Sequence, residues 1–135
     1  MEITHKQKLK IEEIVQKYGL KLVLLFGSQS SGLIHKESDT DVAYVSLKPL
    51  DFKEEYHLNY ELTVLFQKDR VDTVDIRKAT PLLMYAIFQY PQILFQTNDM
   101  IFSKYQAYAF KRYIEAKPLY EEKARRLKEH ITTYL

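Results

Sequence analysis

The sequence predicts one α/β domain in which a single β-sheet is backed by helices. Its 135 residues suit one hydrophobic core, since single domains commonly run to about 100–200 residues. It holds only three Gly and four Pro, so no linker divides it. Short apolar runs alternate with segments of helical periodicity. This alternation predicts an α/β (α+β) sandwich and leaves the strand directions open.

The first elements follow from apolar spacing and one glycine. Residues 4–18 predict a helix, because four apolar side chains share one face and Gly19 stands where a C-terminal cap is expected. That face comprises Ile11, Ile14, Val15 and Tyr18. Residues 20–26 (LKLVLLF) predict a buried strand, residues 27–38 begin as a polar loop, and residues 41–47 (DVAYVSL) predict a second strand.

A second helix and a third strand follow. Residues 51–67 predict a helix that Asp51 caps at its N-terminus. The apolar residues at helical spacing in it are Phe52, Tyr56, Tyr60, Val64 and Leu65. Residues 71–76 (VDTVDI) predict the third strand.

The last third of the sequence is predicted to be mostly helical. Thr80-Pro81 opens a helix that ends before Pro91, and residues 93–95 predict a short strand. Residues 99–134 predict a helical extension with a break or kink at Pro118. We therefore expect one domain, with a core over about residues 5–96 and a helical C-terminal part over about 99–134.

Composition narrows the possible functions. The absence of Cys excludes thiolate catalysis and thiolate metal sites, and the four His are too scattered to indicate zinc. No apolar run approaches the roughly 18–20 residues of a membrane span, and the N-terminus lacks the layout of a signal peptide, so a cytoplasmic protein is expected. The net charge is +2, but residues 104–135 carry eight Lys or Arg and four Glu, a local charge of +4. That basic helix and the eleven tyrosines are candidates for contact with a partner.

Two acids at the start of the second strand indicate a metal site. Asp39 and Asp41 are two residues apart, so in a strand both carboxylates point to one face. Carboxylates this close repel each other unless a cation lies between them. Oxygen ligands favour a hard ion such as Mg²⁺, which takes one or two carboxylates together with substrate phosphates.

Gly27-Ser28 follows the first strand and indicates a phosphate site. Glycine permits close approach of a ligand to the backbone, and Ser28 adds a hydroxyl group. A third acid is expected on the strand at residues 71–76, where Asp72 and Asp75 are three apart and point to opposite faces. We favour Asp72 as the third carboxylate, because it lies near the strand start, and expect Asp75 to face a helix end or solvent.

The segment LFGSQSSGLIHKESDTDVAYV resembles the GS-x10-D-x-D signature of the DNA polymerase β-like nucleotidyltransferase superfamily. The short length and the segment VDTVDIRKATPLL resemble the minimal nucleotidyltransferases (MNT), antitoxins paired with HEPN toxins. The resemblance implies a mixed sheet, with Gly27 and Ser28 holding the triphosphate of ATP and Asp39 and Asp41 holding Mg²⁺. The third metal-binding and catalytic acid maps onto the VDTVDI strand.

The same resemblance implies that the chain is an enzyme that transfers AMP from ATP to a tyrosine of a HEPN ribonuclease and so silences it. Three other functions stay open. The chain could neutralise the toxin by binding alone, or it could be a small-molecule nucleotidyltransferase, for which 135 residues leave little room to hold the acceptor. A nucleic-acid binder that uses the basic patch of residues 104–128 would show a steep salt dependence.

Overall fold

A computed structural model describes residues 1–27 and 40–134. Its strands are β1 (Leu20–Phe26), β2 (Thr40–Ser46), β3 (Val71–Asp75) and β4 (Gln92–Gln96). They form one sheet in the order β3-β2-β1-β4. β1 pairs antiparallel with β2 and β4, whereas β2 pairs parallel with β3. The sheet is therefore mixed, which confirms the fold class that the resemblance implied.

Four α-helices accompany the sheet in the described part of the chain. They are α1 (His5–Tyr18), α2 (Phe52–Phe66), α3 (Pro81–Gln89) and α4 (Ile101–Tyr134), and a short 3₁₀ helix spans Ile76–Lys78. Thr4 and Asp51 each form a capping box at the start of α1 and α2. Gly19 ends α1 in the left-handed conformation at φ 64°. The predicted caps are therefore confirmed.

The helices cover the two faces of the sheet, and each face has its own apolar core. On one face α1 and α2 pack against β1 and β2, and all four apolar residues predicted for α1 are buried there. On the other face α3 and the first half of α4 pack against the same strands. Arg112 fixes α4 beside α3, because its guanidinium donates to the Ala79 carbonyl oxygen at 3.2 Å.

The α2 helix is confirmed, but most of its predicted apolar positions do not face the core. Such a stripe ordinarily faces the core, yet only Leu65 of the five is buried. The core face is formed by Leu58, Leu62, Leu65 and Phe66. The helix thus carries two apolar stripes, and the leucine-rich one packs on the sheet.

Of the predicted break or kink at Pro118, the break is wrong, because α4 continues through it from Ile101 to Tyr134; the kink stays a prediction. Proline removes one helical hydrogen bond and leaves the carbonyl four residues earlier, at Ile114, without its amide donor. Ile114 is 69% exposed, so solvent can reach that turn. Nothing in the described ranges, 1–27 and 40–134, is a helix both long and apolar enough to cross a membrane.

The two sides of α2 should respond differently to truncation. We expect Leu62→Ala to lower the free energy of unfolding by about 2–5 kcal/mol, because Leu62 is buried between α2 and the sheet. The matched change is Val64→Ala, two residues after Leu62 and exposed. It should change the free energy of unfolding by no more than about 0.5 kcal/mol. Urea unfolding of both variants measures the difference, and equal losses would contradict the assigned orientation of α2.

Candidate active site

Asp41 and Asp72 lie side by side at the starts of two neighbouring strands. They are register partners in the parallel pairing of β2 with β3. Partnered residues of adjacent strands share one face of the sheet. Ala43 and Val74, the next pair on that face, pack in the core beneath α3 and α4. Both carboxylates therefore lie on the α3 side of the sheet, at the same end.

Gly27 stands directly beside Asp41. It follows Phe26, the register partner of Asp41 in the antiparallel pairing of β1 with β2. Its φ is +82°, and a Cβ atom built on it would lie 2.5 Å from the Asp41 Oδ2 atom. Any other residue would push against the carboxylate and adopt a strained backbone conformation. The glycine thus lets the chain turn within contact distance of an acid of the candidate site.

Asp75 lies on the opposite face from Asp72, as the spacing of three predicts. Its Oδ1 atom accepts a hydrogen bond of 3.0 Å from the Arg77 backbone N–H and so caps the 3₁₀ helix. Its register partner is Tyr44. Burial raises the pKa of the Tyr44 hydroxyl well above its usual range, and the charges of Asp75 and Glu55 add to the effect. Asp75 therefore lies on the α1 side of the sheet, where it caps the 3₁₀ helix, and is not part of the acid pair.

Arg70 donates two hydrogen bonds to the Asp72 carboxylate. Its Nε atom donates to Oδ1 at 3.2 Å and an Nη atom donates to Oδ2 at 3.1 Å. This paired geometry is the strong form of the arginine–carboxylate contact. Sequence reasoning did not single out Arg70, although it stands two residues before Asp72 and the period of a strand would have placed both on one face.

Two predicted site residues, Ser28 and Asp39, lie outside the described residues. Within the described ranges there is no cluster of three His, Cys, Asp or Glu residues able to hold a metal. The donor set that is present, two carboxylates at the starts of the neighbouring strands β2 and β3, has the oxygen chemistry that Mg²⁺ requires. The residues present therefore fit a magnesium site to which Asp39 would add a further carboxylate.

Comparison with known proteins shows which family the chain belongs to. A family model described as Polymerase beta, Nucleotidyltransferase matches residues 9–100. The chain belongs to this nucleotidyltransferase family. The resemblance that rested on the GS-x10-D-x-D signature is thereby confirmed.

One curated relative of this nucleotidyltransferase is the protein adenylyltransferase MntA of Shewanella oneidensis. The two are 34% identical over 86 residues, which is 62% of this chain and 61% of the relative. The match therefore spans less than two thirds of the relative's length.

Solved structures resemble the nucleotidyltransferase over nearly its whole length. A chain of a crystal structure of a toxin–antitoxin with AMP-PNP is 25% identical at a TM-score of 0.72, with 92% of this chain and 98% of that chain covered. A chain from the complex of a tri-AMPylated Shewanella oneidensis HEPN toxin with an MNT antitoxin is 22% identical at a TM-score of 0.69, with 93% and 97% covered. The second likeness shows the fold alone.

The contact between Gly27 and Asp41 can be tested with a matched pair of glycine variants. We expect Gly27→Ala to be destabilising and to weaken ATP binding, because the new methyl group would displace the Asp41 carboxylate. Gly19→Ala is the control: it has a similar positive φ, but the nearest atom to its added Cβ is Leu47 Cδ1 at 3.9 Å.

The control should cost about 1–2 kcal/mol of unfolding free energy for the left-handed backbone alone and leave ATP binding unchanged. Thermal unfolding and calorimetric titration with ATP and Mg²⁺ measure the two effects. Equal ATP affinity in both variants would contradict a site at Gly27.

Proposed function

We propose that this nucleotidyltransferase is an antitoxin that transfers AMP from ATP to a tyrosine of a cognate HEPN ribonuclease toxin in the cytoplasm and thereby silences it. The observation that carries the proposal is the pairing of Asp41 with Asp72 beside Gly27. Two relatives support it, since one is a protein adenylyltransferase and another is a chain of a toxin–antitoxin structure with AMP-PNP.

Each residue of the candidate site has a task in this reaction. Gly27 and Ser28 bind the triphosphate, Ser28 through its hydroxyl and Gly27 through close approach of its backbone. Asp39, Asp41 and Asp72 would hold Mg²⁺, which supplies neutralisation of the phosphate charges when it is bound. The protein otherwise contributes position and electrostatics, because phosphoryl-type transfer leaves little covalent work to side chains.

The AMP transfer is a displacement at the α-phosphorus of ATP. The toxin's tyrosine oxygen forms a bond to the α-phosphorus of ATP while the bond to the bridging oxygen of pyrophosphate breaks. Pyrophosphate leaves with that oxygen, and the tyrosine proton passes to the Asp72 carboxylate and then to solvent. Asp72 suits this task because it lies at the strand start beside Asp41, where it is partly exposed.

Substitution of the acids by their amides tests the assignment. Asp41→Asn, Asp72→Asn and the double variant Asp39→Asn with Asp41→Asn should each lower AMP transfer to the toxin by about 100-fold or more, because the amide loses the charge that binds the cation. Intact-mass spectrometry of the toxin after incubation with ATP counts the AMP groups added.

Asp75→Asn is the control for these variants. Asparagine retains the side-chain oxygen that accepts from the Arg77 N–H, so transfer should stay within about twofold of the wild-type rate. If the acid-pair variants label the toxin at the wild-type rate, the site is wrongly assigned. If the wild-type chain binds the toxin and adds no mass, it neutralises by binding alone.

Ser28→Ala tests the proposed phosphate contact separately from the acids. Loss of one hydrogen bond to a charged phosphate should weaken the use of ATP by about 1.5–3 kcal/mol. Steady-state kinetics with varied ATP measures it as a rise in KM. Ser46→Ala, a change at a buried serine at the far end of β2, provides the comparison. An ATP KM unchanged in Ser28→Ala would remove Ser28 from the phosphate site.

A further inference from the structure

Four large apolar side chains form an exposed line along α2, which we call the α2 stripe. Its members are Phe52, Tyr56, Tyr60 and Val64, which are 88, 60, 63 and 56% exposed. Their spacing of four places consecutive members next to each other on the helix surface. Single exposed apolar residues are common, but a contiguous row of them marks an interaction surface. The α2 stripe is therefore a candidate surface for binding another protein.

Near the start of β3 the α2 stripe borders a groove, which we call the Arg70 groove. Tyr56 and Tyr60 line one wall, and Asp69 and Arg70 line the other, around a volume of about 310 Å³. Arg70 is the same residue that donates twice to the Asp72 carboxylate. One arginine thus forms a wall of the groove and contacts an acid of the site.

We propose that the α2 stripe is the surface on which the acceptor protein docks, and that the Arg70 groove receives the segment carrying the reacting tyrosine. The inference rests on the proposed function, because that function requires a protein acceptor whose hydroxyl group reaches Asp72. Aromatic side chains with a polar end, such as Tyr56 and Tyr60, suit a surface that is wet when free and buried when bound.

The position of the groove favours the acceptor over other occupants. A second copy of this chain seated on the α2 stripe would cover the groove beside Asp72, whereas an acceptor has to enter it. Another aromatic groove, lined by Tyr85, Tyr90 and Tyr113 between α3 and α4, has neither Arg70 nor an acid of the site in its lining. The contact of Arg70 with Asp72 thus distinguishes the Arg70 groove and commits it to the acceptor.

The test combines a stripe variant with a matched control. The double variant Tyr56→Ala with Tyr60→Ala removes both aromatic walls, and Tyr90→Ala with Tyr108→Ala removes two tyrosines that are 77 and 54% exposed elsewhere. Calorimetry measures the affinity of each for the cognate HEPN toxin in its unmodified form and, separately, for ATP with Mg²⁺. Thermal unfolding verifies that both variants fold.

The stripe variant should bind the toxin about 30-fold more weakly or worse, the effect of losing an interface hot spot, with unchanged affinity for ATP. The control should match the wild-type chain in both affinities. Unchanged toxin affinity in the stripe variant would overturn the inference. Light scattering measures the molar mass of each chain without toxin. A lower molar mass for the stripe variant than for the wild-type chain, with unchanged toxin affinity, would show that two copies of this chain pair through the α2 stripe. That result would also overturn the inference.

The two proposals fail separately. If the wild-type chain binds the toxin and transfers no AMP, the proposed function falls, while the toxin affinity of the stripe variant still decides the docking surface. If the wild-type chain transfers AMP and the stripe variant transfers it equally well at limiting toxin concentration, the docking inference falls and the function stands. A wild-type chain that does not bind the toxin overturns both.

Discussion

The parallel register between β2 and β3 is the constraint on which the candidate site depends. A shift of one residue would move Asp72 to the opposite face of the sheet, because side chains alternate along a strand. The two cores prevent the shift: Val71 is buried on the α1 side, and Val74 packs on the α3 side. Asn59 adds a further tie, since its amide donates to the Val71 carbonyl oxygen at 2.6 Å. The position of one carboxylate is therefore fixed by packing on both faces.

A pair of adjacent acids is costly unless a positive charge is near. Arg70 supplies one to Asp72 through two hydrogen bonds, and this contact lowers the repulsion between Asp72 and Asp41. The arginine and Asp72 are both partly exposed, so water screens the contact and the pair contributes little to the stability of the fold. Its consequence lies in the candidate site, where the arginine holds the orientation of the Asp72 carboxylate.

The sequence predicts the elements well and is less informative about which helix face packs. In α1 one apolar stripe is present, and all four of its predicted residues are buried. In α2 two apolar stripes coexist, and periodicity alone does not say which one meets the sheet. The stripe with Leu58 and Leu62 packs on the sheet, because leucine buries hydrocarbon and has no hydroxyl group that needs a hydrogen-bond partner. For Asp72 and Asp75 the period of a strand separates the faces, but only the register with β2 shows which face Asp41 shares.

The candidate site and the proposed docking surface both lie beside β3, because of how the helices pack on the sheet. In the described part of the chain, helices pack on both faces of the sheet, and the acid pair lies at the end of the sheet where β2 and β3 begin. β3 is an edge strand, and its start carries Asp72 while α2 lies alongside it. A protein acceptor that approaches Asp72 from this edge would meet the Arg70 groove, because Arg70 lines that groove and donates to Asp72. Under the proposed function, the exposure of Tyr56 and Tyr60 has a physical reason: the edge that presents Asp72 would also hold the polypeptide that is modified.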